Sequence, residues 1–337
     1  MDRVLELGGH AAGYCGRLFV HAGAEVVRID PPVPDPAWAS DEAMALYLHA
    51  GKRRVATSDR QLIARLAARA DVIIYEGRTA DEISAAGFDE WSAPVRIAIT
   101  PFGRSGPKRN WRATPGVLLA MGGYTYLVGD ADREPLTLPG HYVEFQSGAM
   151  AYVAANAARL AEVDRVVDIG MLEVVMSLSQ FTTVRWHCLG DIRSRHGSDF
   201  WFVAPSDLFA CRDGWIYLNV VPQFWDPLVI LLDKPELALD ARFETNESRM
   251  ANRAELRDII ARQFGPLTRS EIEARALQCR VPLGAVQTFG EVLRDSELLQ
   301  RGVFETVSDG SRPLLSPRVS FAEQDGKVRR LSDVQHG

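Results

Sequence analysis

Short runs of aliphatic and β-branched residues separated by helix-length segments dominate the first half of the chain. They are Val4 to Leu7, Val26 to Ile29, DVIIYE at 71–76, PVRIAIT at 94–100 and RVVDIG at 165–170. A strand open to water on one face alternates apolar and polar residues, whereas a parallel strand covered by helices on both faces reads as a nearly continuous apolar run. The pattern therefore predicts an α/β fold built on a buried parallel sheet. Residues 8–16, GGHAAGYCG, read as a glycine-dotted turn leading into a helix, RLFVHAGA. SDRQ at 58–61 has the Ser58-x-x-Gln61 spacing of a capping box ahead of the helix QLIARLAARA.

The run MLEVVMSLSQFTTVRWHCLG at 171–190 predicts one long buried helix. It carries Glu173, Arg185 and His187, too much charge for a membrane span. Beyond it the texture changes: DLFACRDGWIYLNVV is two alternating runs around Asp213-Gly214, a dipeptide suited to hairpin turns. The helices AELRDIIARQF and TRSEIEARALQ follow, the second with capping-box spacing between Thr268 and Glu271. This predicts a large parallel-sheet domain over 1–190, a smaller α+β domain over 200–300, and a tail, 301–337, packing back on the first. With 337 residues the chain has room for one large or two ordinary domains.

Charge and cysteine usage narrow the partners. A net charge of −6 gives no general attraction to nucleic acid or anionic membranes, so a polyanionic ligand needs local basic clusters. Cys15, Cys188, Cys211 and Cys279 show no paired spacing, which suggests neither a zinc site nor a disulfide framework and fits a reducing cytoplasm. MDRVLELGGH lacks the basic and apolar regions of a signal peptide. Gly13 and Gly16 supply a GxxG without the complete dinucleotide fingerprint, favouring a tight strand-to-helix turn over nicotinamide binding.

The clusters GKRRV at 51–55 and KRNWR at 108–112 are either solvated faces or phosphate-binding loops. Arg78 follows a strand where open parallel sheets bind ligands. His141 and Glu144 could share one helix face, but two ligands fall short of the usual metal set. Glu144 also suits the positive end of a helix dipole, as Asp168 and Glu173 suit turn and cap positions. These residues imply an α/β enzyme or ligand-binding protein and go no further.

The ordered series VLELGGHAAGYCGRLFVHAGAEVVRIDPP, GKRRVATSD, DVIIYEGR, ITPFGRSGP, RVVDIGMLE, LFACRDGWIYLNV, FWDPL, ARFETNESRMANRAEL, RVPLGAV and DSELLQRGVF resembles the class III CoA-transferases of the CaiB/BaiF type along nearly the whole chain. The resemblance implies a Rossmann-like large domain, a small domain, and an interlocked dimer, either a homodimer or a heteromer with a related subunit. It implies no permanently bound cofactor, with coenzyme A and acyl-CoA as substrates beside a carboxylic acid. Lys52, Arg53, Arg78 and Arg104 would then serve the nucleotide end, and His10, Ala12 and Tyr14 would lie beside the pantetheine and thioester.

In that family an aspartate in a pattern like ADYVTG attacks the thioester, and VEFQSG occupies its place here. Glu144 thus stands at the nucleophile position, with His141 as a neighbour that orients it. Glu76 and Gly77 replace an Asn-aromatic pair before Arg78, and the segment TPGVLLAMGG is shortened. The resemblance implies CoA transfer through a covalent carboxylate intermediate. Two alternatives stand beside it: a non-catalytic or CoA-binding subunit of a heteromeric transferase, and an acyl-CoA isomerase, hydrolase or lyase using Glu144 as base.

Overall fold

In the computed structural model, which describes residues 2–33, 42–161, 165–308 and 313–318, strands and helices alternate along the first half. The order is β1 (Arg3–Leu7), α1 (His10–His21), β2 (Glu25–Asp30), α2 (Glu42–His49), β3 (Arg53–Ala56), α3 (Arg60–Ala67), β4 (Val72–Glu76), α4 (Ala80–Ala85) and β5 (Val95–Thr100). Then come α5 (Pro115–Met121), α6 (Tyr124–Leu127), α7 (Tyr142–Leu160), β6 (Arg165–Gly170), α8 (Met171–Leu178) and α9 (Gln180–Leu189). The six strands form one parallel sheet in the order β3-β2-β1-β4-β5-β6. Strand order reverses between β1 and β4, and the crevice beyond their carboxyl ends is where such sheets bind ligands.

Alternate strand residues feed two cores. Val4, Val26, Val72, Ile74, Val95 and Ile97 pack with α1, α7 and α8, while Leu5, Leu7, Ile29, Ile73 and Ala98 pack with Ala67, Ile83 and Phe88. Burial on both faces is the reason these strands read as nearly continuous apolar runs, broken by the buried Glu6–Arg28 pair. The two edge strands differ: in β3, Arg53, Arg54 and Ala56 are exposed, and in β6, Arg165, Val166 and Asp168.

The glycines of residues 8–16 act differently from the expected turn. Only Gly8, with φ of +108°, and Gly9 precede the helix, and α1 already begins at His10. Gly16 lies inside α1 because a Cβ there would sit 1.7 Å from Oε2 of Glu6, a fully buried residue of β1. Gly148 of α7 is likewise needed for space, since its Cβ would meet the Ala11 carbonyl oxygen at 2.5 Å. Glycine at these positions makes room rather than a turn, for the Glu6 carboxylate at Gly16 and for the α1 backbone at Gly148.

Other local expectations are corrected by geometry. Asp59, not Ser58, caps α3, accepting from the backbone N–H groups of Gln61 and Leu62; a carboxylate also complements the helix dipole. The predicted helix over 171–190 breaks at Ser179 into α8 and α9. It is not uniformly buried, because Phe181, Val184, Trp186 and Leu189 are exposed on this chain.

Two compact units divide the chain: Met1–Tyr126, Thr137–Arg193 and Ser296–Gly337 form the first, as far as they are described, and Leu127–Leu136 with Ser194–Asp295 the second. The second unit contains β7 (Ser206–Cys211), β8 (Gly214–Asn219), α10 (Trp225–Leu231), α11 (Asn246–Ala251), α12 (Arg253–Phe264), α13 (Arg269–Cys279), β9 (Leu283–Ala285) and α14 (Phe289–Val292). Its three strands form an antiparallel sheet, β7-β8-β9, over a core that includes Phe209, Ile216, Phe243 and Phe264. Cys211 pairs with Gly214, so the hairpin turn is Arg212-Asp213, one residue earlier than Asp213-Gly214. The Thr268–Glu271 capping box is present at the start of α13.

In the first unit, α15 (Ser296–Gln300) precedes an antiparallel hairpin, β10 (Phe304–Ser308) and β11 (Pro313–Pro317). Arg17 of α1 anchors it, donating to Glu305 Oε1 at 3.2 Å, Ser316 Oγ at 3.0 Å and the Pro317 carbonyl at 3.0 Å. Of the tail over 301–337, residues 309–312 and 319–337 lie outside the described residues.

Candidate active site

Helix α7 carries a stripe of small residues against α1. Ser147, Gly148, Ala151 and Ala155 are buried, facing Ala11, Ala12 and Cys15 across a contact tight enough to require Gly148. Glu144 is one helical turn before Gly148, and His10 immediately precedes Ala11. Close packing of two helices thus brings together a carboxylate and an imidazole distant in sequence.

Glu144 is 8% exposed, and its Oε1 is 3.2 Å from Nδ1 of His141 and 3.9 Å from Nδ1 of His10. The His10 and His141 rings meet edge to face at 4.4 Å. Oε2 of Glu144 is buried and has no hydrogen-bond partner among the described residues. Burial would raise the Glu144 pKa. Interactions with His10, its own backbone N–H and His141 outweigh that penalty and hold the carboxyl below its ordinary range. The group is therefore a carboxylate at neutral pH, steadied through one oxygen.

Phe145 fixes the neighbouring rings: it stacks on Tyr14 at 4.6 Å and on His141 at 5.8 Å. Tyr14 therefore forms part of an aromatic wall beside Glu144. Ala12 is fully buried and contributes its backbone, donating to Glu76 Oε2 at 2.9 Å. Glu76, at the carboxyl end of β4, supplies a carboxylate to the amino end of α1, whose own N-cap Gly9 makes no side-chain bond. Burial raises the Glu76 pKa to about 7, aided by nearby Glu144 and opposed by the Ala12 N–H and by His10.

The basic residues separate. Lys52 is internal, with Nζ 2.7 Å from both Glu6 Oε2 and the Gly13 carbonyl; burial lowers its pKa to about 8 despite Glu6. It neutralises a buried acid, and its placement does not offer it to a phosphate. Arg53 is exposed at the amino end of β3 and pairs with Glu25, at the opposite end of the sheet from the crevice. Arg104 is held by Asp89 at 2.6 Å and by Ser84, while its backbone N–H donates to Asp168.

Arg78 lies at the carboxyl end of the sheet. It lines a cavity of about 610 Å³ with Arg60, Ile29, Tyr75 and Trp91, and its Nε is 3.1 Å from Glu82. Spacing could not single out Arg60, Phe145 or the third member of the His10–His141–Glu144 group, because each depends on a contact between separate elements. Glu76 was visible only as a departure from the family pattern.

The model of CoA-transferase family III matches residues 2–332. The chain belongs to CoA-transferase family III. A succinyl-CoA–D-citramalate CoA-transferase from Chloroflexus aurantiacus is 30% identical over 360 residues, covering 99% of this chain and 88% of the relative. A succinate–glutarate CoA-transferase from Agrobacterium fabrum is 24% identical, covering 97% and 86%. Among solved structures, a CaiB/BaiF family protein from Brucella suis superposes with a TM-score of 0.82 over 96% of this chain and 92% of its own, at 23% identity. These matches show a family III CoA-transferase with the CaiB/BaiF fold.

Proposed function

We propose that this enzyme moves CoA from an acyl-CoA to a carboxylic acid through covalent intermediates on Glu144. The observation that carries the proposal is the asymmetric carboxylate, with Oε1 held by histidine and Oε2 without a hydrogen-bond partner among the described residues. Oε2 attacks the thioester carbonyl, the C–S bond breaks, and a mixed anhydride and CoA thiolate form. The thiolate then attacks the Glu144 carbonyl, releasing the first acid and leaving a glutamyl-CoA thioester. The acceptor carboxylate attacks that thioester, forming a second anhydride with Glu144 and expelling the thiolate, which then attacks the acceptor's acyl carbon and releases the new acyl-CoA and the free Glu144 carboxylate. Carboxylates serve as covalent nucleophiles in this way, and holding one in place offsets much of the barrier.

The named relatives use succinyl-CoA with citramalate, malate or mesaconate. This supports succinyl-CoA as donor and a small dicarboxylic acid as acceptor. Arg60 and Arg78 would bind CoA phosphates at the crevice, as bidentate donors suited to that geometry. The test is exchange of label between succinyl-CoA and a panel of dicarboxylates. Glu144→Gln should abolish exchange, and Arg60→Ala and Arg78→Ala should raise KM for the donor about tenfold while sparing kcat. Full exchange by Glu144→Gln contradicts the proposal.

A heteromeric arrangement is a second reading. The Chloroflexus malate transferase is named as alpha and beta subunits, and each resembles this chain. The exposed apolar side chains of α9 suit a partner chain. Light scattering on the isolated chain should show a dimer if the copies pair; a monomer inactive until a related subunit is added supports the heteromer.

A further inference from the structure

The sequence offers His141 and Glu144 as two potential ligands, and the fold adds a third. His10, His141 and Glu144 each present one ligand atom, and the three atoms lie within 4.8 Å of one another. Around a tetrahedral zinc ion with bonds of about 2.0–2.2 Å, ligand atoms lie roughly 3.4 Å apart. The distances from Glu144 Oε1 to the two Nδ1 atoms, 3.2 and 3.9 Å, bracket that separation.

A second observation points the same way. Glu144 Oε2 is buried without a hydrogen-bond partner among the described residues, in a side chain with only 10% of its surface accessible. Such an oxygen is costly to desolvate unless something charged or polar meets it. Two imidazoles and one carboxylate are also a ligand set that leaves a fourth coordination position open.

We propose that His10, His141 and Glu144 form a site for one divalent transition-metal ion of the zinc class, which competes with acyl-CoA for Glu144. A metal held on Oε1 neutralises the negative charge of the carboxylate and so lowers the nucleophilicity of Oε2, and occupancy holds the enzyme off. Alkaline-earth ions, which prefer several oxygen ligands, should bind poorly to this nitrogen-rich set. The binding stands independently of the covalent mechanism; the competition rests on Glu144 as nucleophile.

Cobalt(II) is a suitable probe because its visible absorption reports coordination directly. Titration of chelator-treated full-length enzyme should give one equivalent bound, with a band that Zn²⁺ displaces and Mg²⁺ does not. His10→Gln and His141→Gln, each checked for an unchanged unfolding transition, should weaken binding by more than about 100-fold, since even outer-shell changes cost 10- to 100-fold. Succinyl-CoA should reduce the band, and Zn²⁺ should inhibit exchange in a way a chelator reverses. No cobalt band at one equivalent, or a band unaltered in both variants, overturns the site. If cobalt binds normally but metal-free enzyme never labels at Glu144, the nucleophile assignment fails instead.

Discussion

At the scale of single residues, the extra methylene of Glu144 has a structural counterpart. The longer side chain delivers Oε1 to His141 at the amino end of its own helix and toward His10 on the neighbouring one. Shortening it should undo that arrangement. Glu144→Asp withdraws the carboxylate by about 1.5 Å, and displacements of about 1 Å cost on the order of 100-fold in rate. Measured kcat should fall accordingly, with KM for the donor little changed; full retention of kcat contradicts a histidine-held carboxylate. Glu144 was legible in the sequence only through its place in a family pattern. Its partners were less so: His141 is three residues away and could be inferred, whereas His10 enters through helix packing.

At the scale of elements, the site depends on how closely α1 and α7 approach. Gly148→Ala would drive a Cβ to within 2.5 Å of the Ala11 carbonyl and 3.1 Å of the Cys15 amide nitrogen. Overpacking of this kind costs about 1–3 kcal/mol. Denaturant unfolding should show that loss, and exchange activity should fall further than the folded fraction explains, because Glu144 and His10 move apart. The strands were readable because period and β-branching survive without tertiary context. The glycines misled because one residue type serves two purposes: a positive φ at Gly8, and the absence of a side chain at Gly16 and Gly148. Sequence spacing cannot separate the two. The break at Ser179 and the exposure of α9 were equally hidden, since apolar composition does not say what covers a helix.

At the scale of the whole molecule, a buried polar cluster ties the β10–β11 hairpin to helix α1. His21 lies there, 3.4 Å from Glu305, and burial, with the charges of Arg17 and Arg318, lowers its pKa from 6.5 to about 4. The unfolded chain therefore binds a proton between those values that the folded chain does not. Its contribution to stability is complete above about pH 6.5 and is lost as pH falls through about 4, with a maximum on the order of 3 kcal/mol. Unfolding free energy measured across that window should rise with pH, and His21→Gln should flatten the rise. An unchanged slope would place the acid sensitivity elsewhere. No helix among the described residues is long and apolar enough to cross a membrane.

The covalent role of Glu144 is tested most directly by trapping. Metal-free enzyme incubated with succinyl-CoA, without acceptor, and then treated with hydroxylamine should yield a hydroxamate on Glu144 in the peptide mass spectrum, absent from Glu144→Gln. An unmodified Glu144 in enzyme that is actively exchanging CoA would contradict the account.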